Sequence, residues 1–100
     1  MSADGEAVEF DKTLGQSHRD LHRILPRVLD GMHYEAGDTA YRVQWNERTL
    51  YIAFDDESFH QIALMKMPQT RVVFRFVAWK AHEINDFMDR FHRSFQKGGG

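Results

Sequence analysis

A chain of 100 residues is long enough for one domain with one hydrophobic core. Thirteen lysines and arginines against fifteen acidic residues leave a formal charge of −2, which argues against a dedicated duplex-DNA binder. The lack of cysteine excludes disulfides, thiolate zinc sites and a cysteine nucleophile, and it fits a cytoplasmic protein. No apolar run approaches the ~20 residues of a membrane-spanning helix, and the acidic start shows no secretory signal.

The chain begins with a predicted tail over residues 1–5, a short strand over 7–10 and a turn over 11–16. An amphipathic helix follows, in which Ser17 is the expected N-cap and Asp20 its capping-box partner. Pro26 falls on the solvent side of this helix, and Gly31 ends it in the left-handed conformation. The apolar stripe that we expect to face the core consists of Leu21, Ile24, Leu25, Val28 and Leu29.

Four strand-like runs occupy the middle of the chain. Residues 32–39 are a predicted loop, after which hydrophobic alternation predicts strands over 41–45 and 49–54. A third run covers 59–67, with Pro68 and Gln69 as a turn, and a fourth covers 71–77. All the links are short, so these four strands are expected to form an antiparallel meander.

A second amphipathic helix begins near residues 80–83, and a flexible tail is expected over 97–100. Its solvent side includes Asp86 and Arg90 at the spacing of an ion pair. One domain results, a two-layer α+β sandwich in which two helices cover one face of a four- to five-stranded antiparallel sheet. The residues predicted for the core are Leu21, Ile24, Leu25, Val28, Leu50, Ile52, Phe54, Phe74, Phe76, Ile84, Phe87, Met88 and Phe91.

The second face of this sheet has no helix to cover it. The side chains that alternation points toward it are Arg42, Tyr51, Arg71, Val73, Arg75 and Val77, with Trp79 after them. Arginines among apolar groups suit a contact surface, although an ordinary half-solvated sheet has the same pattern. We therefore expect a non-enzymatic binding or adaptor module acting on a protein partner. Self-association is the simplest case, with the acidic 35–60 segment of a second copy as the counter-charge.

Three other patterns in the sequence bear on function. His18 and His22 are four residues apart on one helix face, so a small metal-binding protein or enzyme using both is the alternative. The stretch RVVFRFVAW lacks the glycine of an RNA-recognition motif, which argues against RNA binding. Asp55, Asp56 and Glu57 lack the alternation of a calcium loop and are expected to form a turn. No catalytic motif is visible, so we expect no enzyme activity, no cofactor and no bound metal.

Parts of the chain resemble the small proteins associated with polyhydroxyalkanoate granules. The resemblance rests on Asp11–Gly15 (DKTLG), Tyr41–Trp45 (YRVQW) and the charged last helix, and it covers most of the chain in outline. It implies a short strand, a turn, a helix, a run of antiparallel strands and a final helix. The ending RFVAW…EINDFMDRFHRSFQKGGG is also similar to the ends of small uncharacterised proteobacterial proteins. Neither resemblance supplies a catalytic residue.

Overall fold

Strands and helices follow one another as β-α-β-β-β-β-β-α in the computed structural model, which describes residues 7–98. The bounds are β1 Ala7–Leu14, α1 His18–Val28, β2 His33–Ala36, β3 Ala40–Trp45, β4 Arg48–Phe54, β5 Ser58–Ile62, β6 Met65–Val77 and α2 Ala81–Gly98. The helix α2 therefore includes the first two residues of the predicted C-terminal tail. The predicted tail over residues 1–5, and residues 99 and 100 of the other, lie outside the described residues.

The strands form an antiparallel sheet in the order β1-β6-β4-β3-β2, and β5 pairs with β6 alone. Alternate residues of the strands pack with the apolar stripes of both helices in one core. All thirteen residues predicted for this core are buried, and Leu29, Tyr41, Val43, Val72 and Phe95 join them. The prediction of a two-layer α+β sandwich is thus confirmed, with more strands than the sequence indicated.

The ends of α1 are held by specific hydrogen bonds. Ser17 is the N-cap as predicted, since its Oγ accepts from the amide of Asp20 at 3.1 Å. Burial alone would raise the pKa of Asp20, but hydrogen bonds from Arg23 and Ser17 outweigh it and hold that pKa below its ordinary value. Gly31 takes the expected positive φ of 85° after the helix.

Arg90 has a different role from the predicted one. Its guanidinium donates to the carbonyl of Val28 at 3.2 and 2.5 Å and to that of Asp30 at 3.4 Å. Among the described residues it forms no ion pair with Asp86, so the predicted pair is wrong. A cation near the C-terminus of α1 is favourable because carbonyls without helical partners carry negative partial charge there.

Two strand predictions at the sheet edges are wrong. Strand β1 continues through residues 11–14, which were expected to be a turn, and pairs with β6 from Ala7↔Val77 to Leu14↔Thr70. Residues 33–36 form β2 on the outer edge of β3, where a loop was expected. All four β2 residues are exposed, so no buried face imposed an alternating pattern on that segment.

The predicted third strand is in fact a hairpin. Residues 58–62 and 65–69 pair with each other, and the turn lies at Ala63 and Leu64, where Ala63 has a φ of 55°. Pro68 does not end a strand but lies inside β6, opposite Phe59. A proline is tolerated there because this part of β6 pairs with β5 alone. Its other edge has no neighbouring strand, so no backbone hydrogen bond is lost with the missing amide hydrogen. The predicted meander is therefore wrong, because β4 pairs directly with β6.

Candidate binding surface

The six residues predicted for the uncovered sheet face all lie on it. Strand register sets Arg42 opposite Tyr51 and Tyr51 opposite Arg75, on the side away from the buried positions. We call this side of β1, β6, β4, β3 and β2 the open face. Its three arginines and Tyr51 are exposed, whereas Val73 and Val77 are half-buried. Trp79 is not part of it, since its indole packs on Phe76 and Phe87 in the core layer.

One row of side chains crosses all five strands of the open face. In register order it contains Glu9, Arg75, Tyr51, Arg42 and Glu35, so that acids flank two arginines around a central aromatic ring. The Arg75 guanidinium lies over the Tyr51 ring, 5.8 Å from its centroid. Arg42 approaches the Glu35 carboxylate at 3.9 Å. Cross-strand pairs of this type stabilise a sheet and fix its register.

Arg71 is neutralised within the chain. Its guanidinium donates to Asp11 at 2.6 Å and to Asp55 at 2.9 Å, and these bonds, that of Asp55 first, raise its pKa further. Asp55 and Glu35 both belong to the 35–60 segment that was expected to supply counter-charge from a second copy. Two of the six acids of this segment thus pair with arginines of their own chain, and self-association through it stays a prediction.

Two acids of β1 belong to the open face, which the sequence did not indicate. Glu9 and Asp11 lie on the open face because β1 is an edge strand of the same sheet. Asp11 was expected to lie in a turn over 11–16, so it was not assigned to either face of the sheet. Phe10, Lys12 and Leu14 are half-buried and alternate with the exposed Asp11 and Thr13. In the sequence, the available signal was the apolar pair Phe10 and Leu14, which lie on one side of a strand that continues past residue 10.

His18 and His22 lie on one face of α1 as predicted, but Nε2 of both rings and Nδ1 of His22 are engaged within the chain. Nε2 of His18 is 2.8 Å from the carbonyl of Asp55, and Nε2 of His22 is 2.8 Å from that of Asp38. A carbonyl only accepts, so Nε2–H of His22 donates to Asp38, and its Nδ1 shares a hydrogen bond of 2.8 Å with the Tyr41 hydroxyl. Burial raises the pKa of Tyr41, which keeps that hydroxyl protonated. The two rings thus tie α1 to neighbouring loops.

The described part of the chain brings no further metal ligands to these histidines. Within residues 7–98 there is no group of three histidine or carboxylate side chains placed to hold a metal ion. A hollow of about 650 Å³ lies between the β3–β4 turn and the start of α2. Two of its four charged residues pair with each other, because Nε of Arg48 donates to Glu83 at 2.8 Å. Glu83 also accepts from the amide of Lys80 at 2.8 Å, so its carboxylate binds the Arg48 guanidinium and the Lys80 amide of its own chain.

Where the sequence predicted a single strand, the structure has a hairpin at residues 58–69, which we call the arm. It carries five large apolar side chains in water, although it belongs to a chain whose core is otherwise well covered. Their exposed fractions are Phe59 61%, Ile62 57%, Leu64 97%, Met65 63% and Met67 41%. The interpretation of 59–67 as a single strand obscured it, because the turn residues Ala63 and Leu64 are not typical of hairpins.

Comparisons with protein-family models, with curated proteins and with solved structures find no match for this chain. Neither helix of the described residues is long and apolar enough to cross a membrane. The resemblance to granule-associated proteins, for which these comparisons provide no support, stays a prediction.

Proposed function

We propose that the protein is a non-enzymatic cytoplasmic binding module that engages a partner protein through its open face. The environment of Arg75 carries this proposal. Among the described residues Arg75 forms no ion pair, and its guanidinium lies over Tyr51, where the planar fork stays accessible. Val73 and Val77 flank it on the same side of β6 and supply apolar surface beside the charge.

A carboxylate with apolar neighbours is the chemistry that this arrangement fits. An arginine fork accepts a carboxylate through two parallel hydrogen bonds, and stacking on Tyr51 holds the fork in place. Nucleic acid fits less well, because a run of phosphates needs several available cations, whereas Arg42 and Arg71 on the same face already pair with Glu35 and Asp11. The expected occupant is therefore a protein segment that presents a carboxylate to Arg75 and aliphatic side chains to the two valines.

Photo-crosslinking in the host cell tests this surface directly. A benzophenone amino acid replaces Ala53, an exposed open-face residue paired with Val73. A matched protein carries it at Asp89, which is exposed on α2. We expect an adduct of discrete mass from position 53 and none from position 89. The same adduct should vanish when Val73→Glu and Arg75→Glu are added, while circular dichroism and the thermal midpoint show an intact fold.

Two outcomes would contradict the proposal. One is a lack of any adduct from position 53 above the level at position 89. The other is an adduct that survives the Val73→Glu, Arg75→Glu double substitution in a folded protein, since the contact would then not depend on the residues that define the surface.

A further inference from the structure

The arm has the composition of a buried element but lies in water. Phe59, Ile62, Leu64, Met65 and Met67 are five of the eight exposed large hydrophobic residues of the described chain. Ile62, Met65 and Met67 share one side of the hairpin, while Phe59 and Pro68 lie on the other. Their exposed surface is on the order of 600 Å² per molecule, divided between the two sides and the tip of the hairpin. An isolated two-stranded hairpin is marginally stable in water, so an arm of this kind is expected to be covered.

The two edges of the arm differ in their ability to accept another strand. The edge of residues 65–69 carries Pro68, which lacks an amide hydrogen and blocks continued pairing. The edge of β5 has neither proline nor lysine over Ser58–Ile62, and β5 pairs with β6 alone. In a hairpin with a two-residue turn, the pair next to the turn exchanges hydrogen bonds and the pairs then alternate. The amides of Phe59 and Gln61 therefore point outward from β5.

We propose that β5 pairs with β5 of a second copy in antiparallel orientation, giving a twofold dimer whose two arms form one four-stranded ribbon. The outward amides of Phe59 and Gln61 are two residues apart, so a register centred on His60 sets each Phe59 opposite the other copy's Gln61. This register uses all five residues of β5. Such an interface is self-complementary, which is the property that a twofold dimer requires. The strand that pairs in this dimer is β5, which is not one of the strands of the open face, so this inference stands or fails independently of the proposed function.

Charge and the free edge both favour a second copy as the occupant. Over residues 58–69 Lys66 is the one charged side chain, and it lies toward the tip, whereas Asp56 and Glu57 lie at the base. Antiparallel pairing brings the tip of one arm beside the acidic base of the other. An exposed strand edge flanked by apolar side chains such as Phe59 and Ile62 is also a template for pairing with another chain. The acidic base would repel an anionic membrane or a nucleic acid.

Sedimentation of the purified chain over a range of concentrations tests the dimer. We expect a reversible dimer in the wild type and at least a 100-fold weaker dissociation constant for Ile62→Lys, which sets two cations into the ribbon. Val8→Lys is the matched control, because Val8 is 47% exposed on β1 and lies outside the arm. Gln61→Pro removes an outward amide without breaking the hairpin, so it should also give monomers. A monomeric wild type, or an Ile62→Lys protein that still forms the dimer, would overturn the proposal.

A cysteine placed at the predicted twofold axis reports the register. The natural chain has no cysteine, so His60→Cys introduces a single thiol. Residues opposite each other in the non-hydrogen-bonded position of an antiparallel pair have Cα atoms about 4.5 Å apart, within disulfide range. We expect mild oxidation to cross-link His60→Cys at least ten times faster than His33→Cys, an exposed position on β2. Equal rates would refute β5-to-β5 pairing in this register even if the protein is a dimer.

Discussion

Two phenylalanines, one in β5 and one in β6, provide the sharpest test of which residues these strands bury. Phe74 is fully buried in the middle of β6, with its ring 5.5 Å from Phe10 and 5.1 Å from Phe91. Phe59 is 61% exposed in the arm. Truncation of each to alanine removes the same atoms. If the register of β6 is right, the first substitution greatly lowers the free energy of unfolding and the second leaves it nearly unchanged.

The expected difference is large. Phe74→Ala removes a buried ring and leaves a cavity among close-packed aromatic neighbours, which costs about 3–5 kcal/mol. That is a large part of the ~5–15 kcal/mol typical of a domain, so the variant is expected to be partly unfolded in physiological conditions. Phe74→Leu retains much of the volume and should cost about 1–2 kcal/mol. Phe59→Ala, measured at a concentration low enough for the monomer, should change stability by less than about 0.5 kcal/mol.

Urea unfolding followed by circular dichroism measures all three variants. The slope of free energy against urea should stay unchanged, so that shifts in the midpoint report stability alone. A Phe74→Leu protein with the wild-type midpoint, or a Phe59→Ala protein destabilised by more than ~2 kcal/mol as a monomer, would refute the assignment of which residues β6 and β5 bury.

Further expectations concern the helix ends and acid stability. Ser17→Ala should cost about 1 kcal/mol in thermal unfolding through loss of the N-cap. Arg90→Met should cost about 1–2 kcal/mol by leaving the C-terminal carbonyls of α1 without a donor, whereas Arg93→Met on the same helix should be neutral. Hydrogen bonds from Arg48 and from the Lys80 amide hold the pKa of Glu83 below its ordinary value. This carboxylate thus stabilises the fold above the ordinary glutamate pKa, and the stabilisation is lost as pH falls through the lower folded-state pKa. Acid unfolding of Glu83→Gln should lack that component.

The sequence predicted the elements that bury one face and failed on the elements that do not. In α1 and α2 the apolar residues recur at helical spacing because one stripe must face the sheet, and all of those predicted are buried. In β4 the alternation of Leu50, Ile52 and Phe54 has the same origin. Strand β2 has no buried residue, so its pairing with β3 left no periodic pattern to detect. Hydrophobic periodicity reports burial, and it reports secondary structure only where burial accompanies it.

On the open face, the sequence predicted which way the side chains point but not which side chains they pair with. Alternation along one strand decides which side a residue occupies, so the positions of Arg71 and Arg75 were predictable from β6 alone. Ion pairing depends on register between strands that are distant in sequence. Arg71 finds Asp11 across 60 residues and Asp55 across 16, and neither pairing follows from the local pattern. The sequence could therefore predict a face with arginines but not that one of them is neutralised and another is open.

The arm departs from both rules, and the departure indicates what it does. A strand with one buried face alternates, and a solvated strand is polar on both sides, but the arm carries exposed apolar side chains on both sides. The side chains of Leu64 and Met65 are not part of the core of their own chain. An exposed strand of this kind with an unpaired edge is instead a template for pairing with another chain. The four-stranded ribbon of two paired arms gives the apolar side chains a common surface, and the Ile62→Lys dissociation constant measures how much of the dimer depends on it.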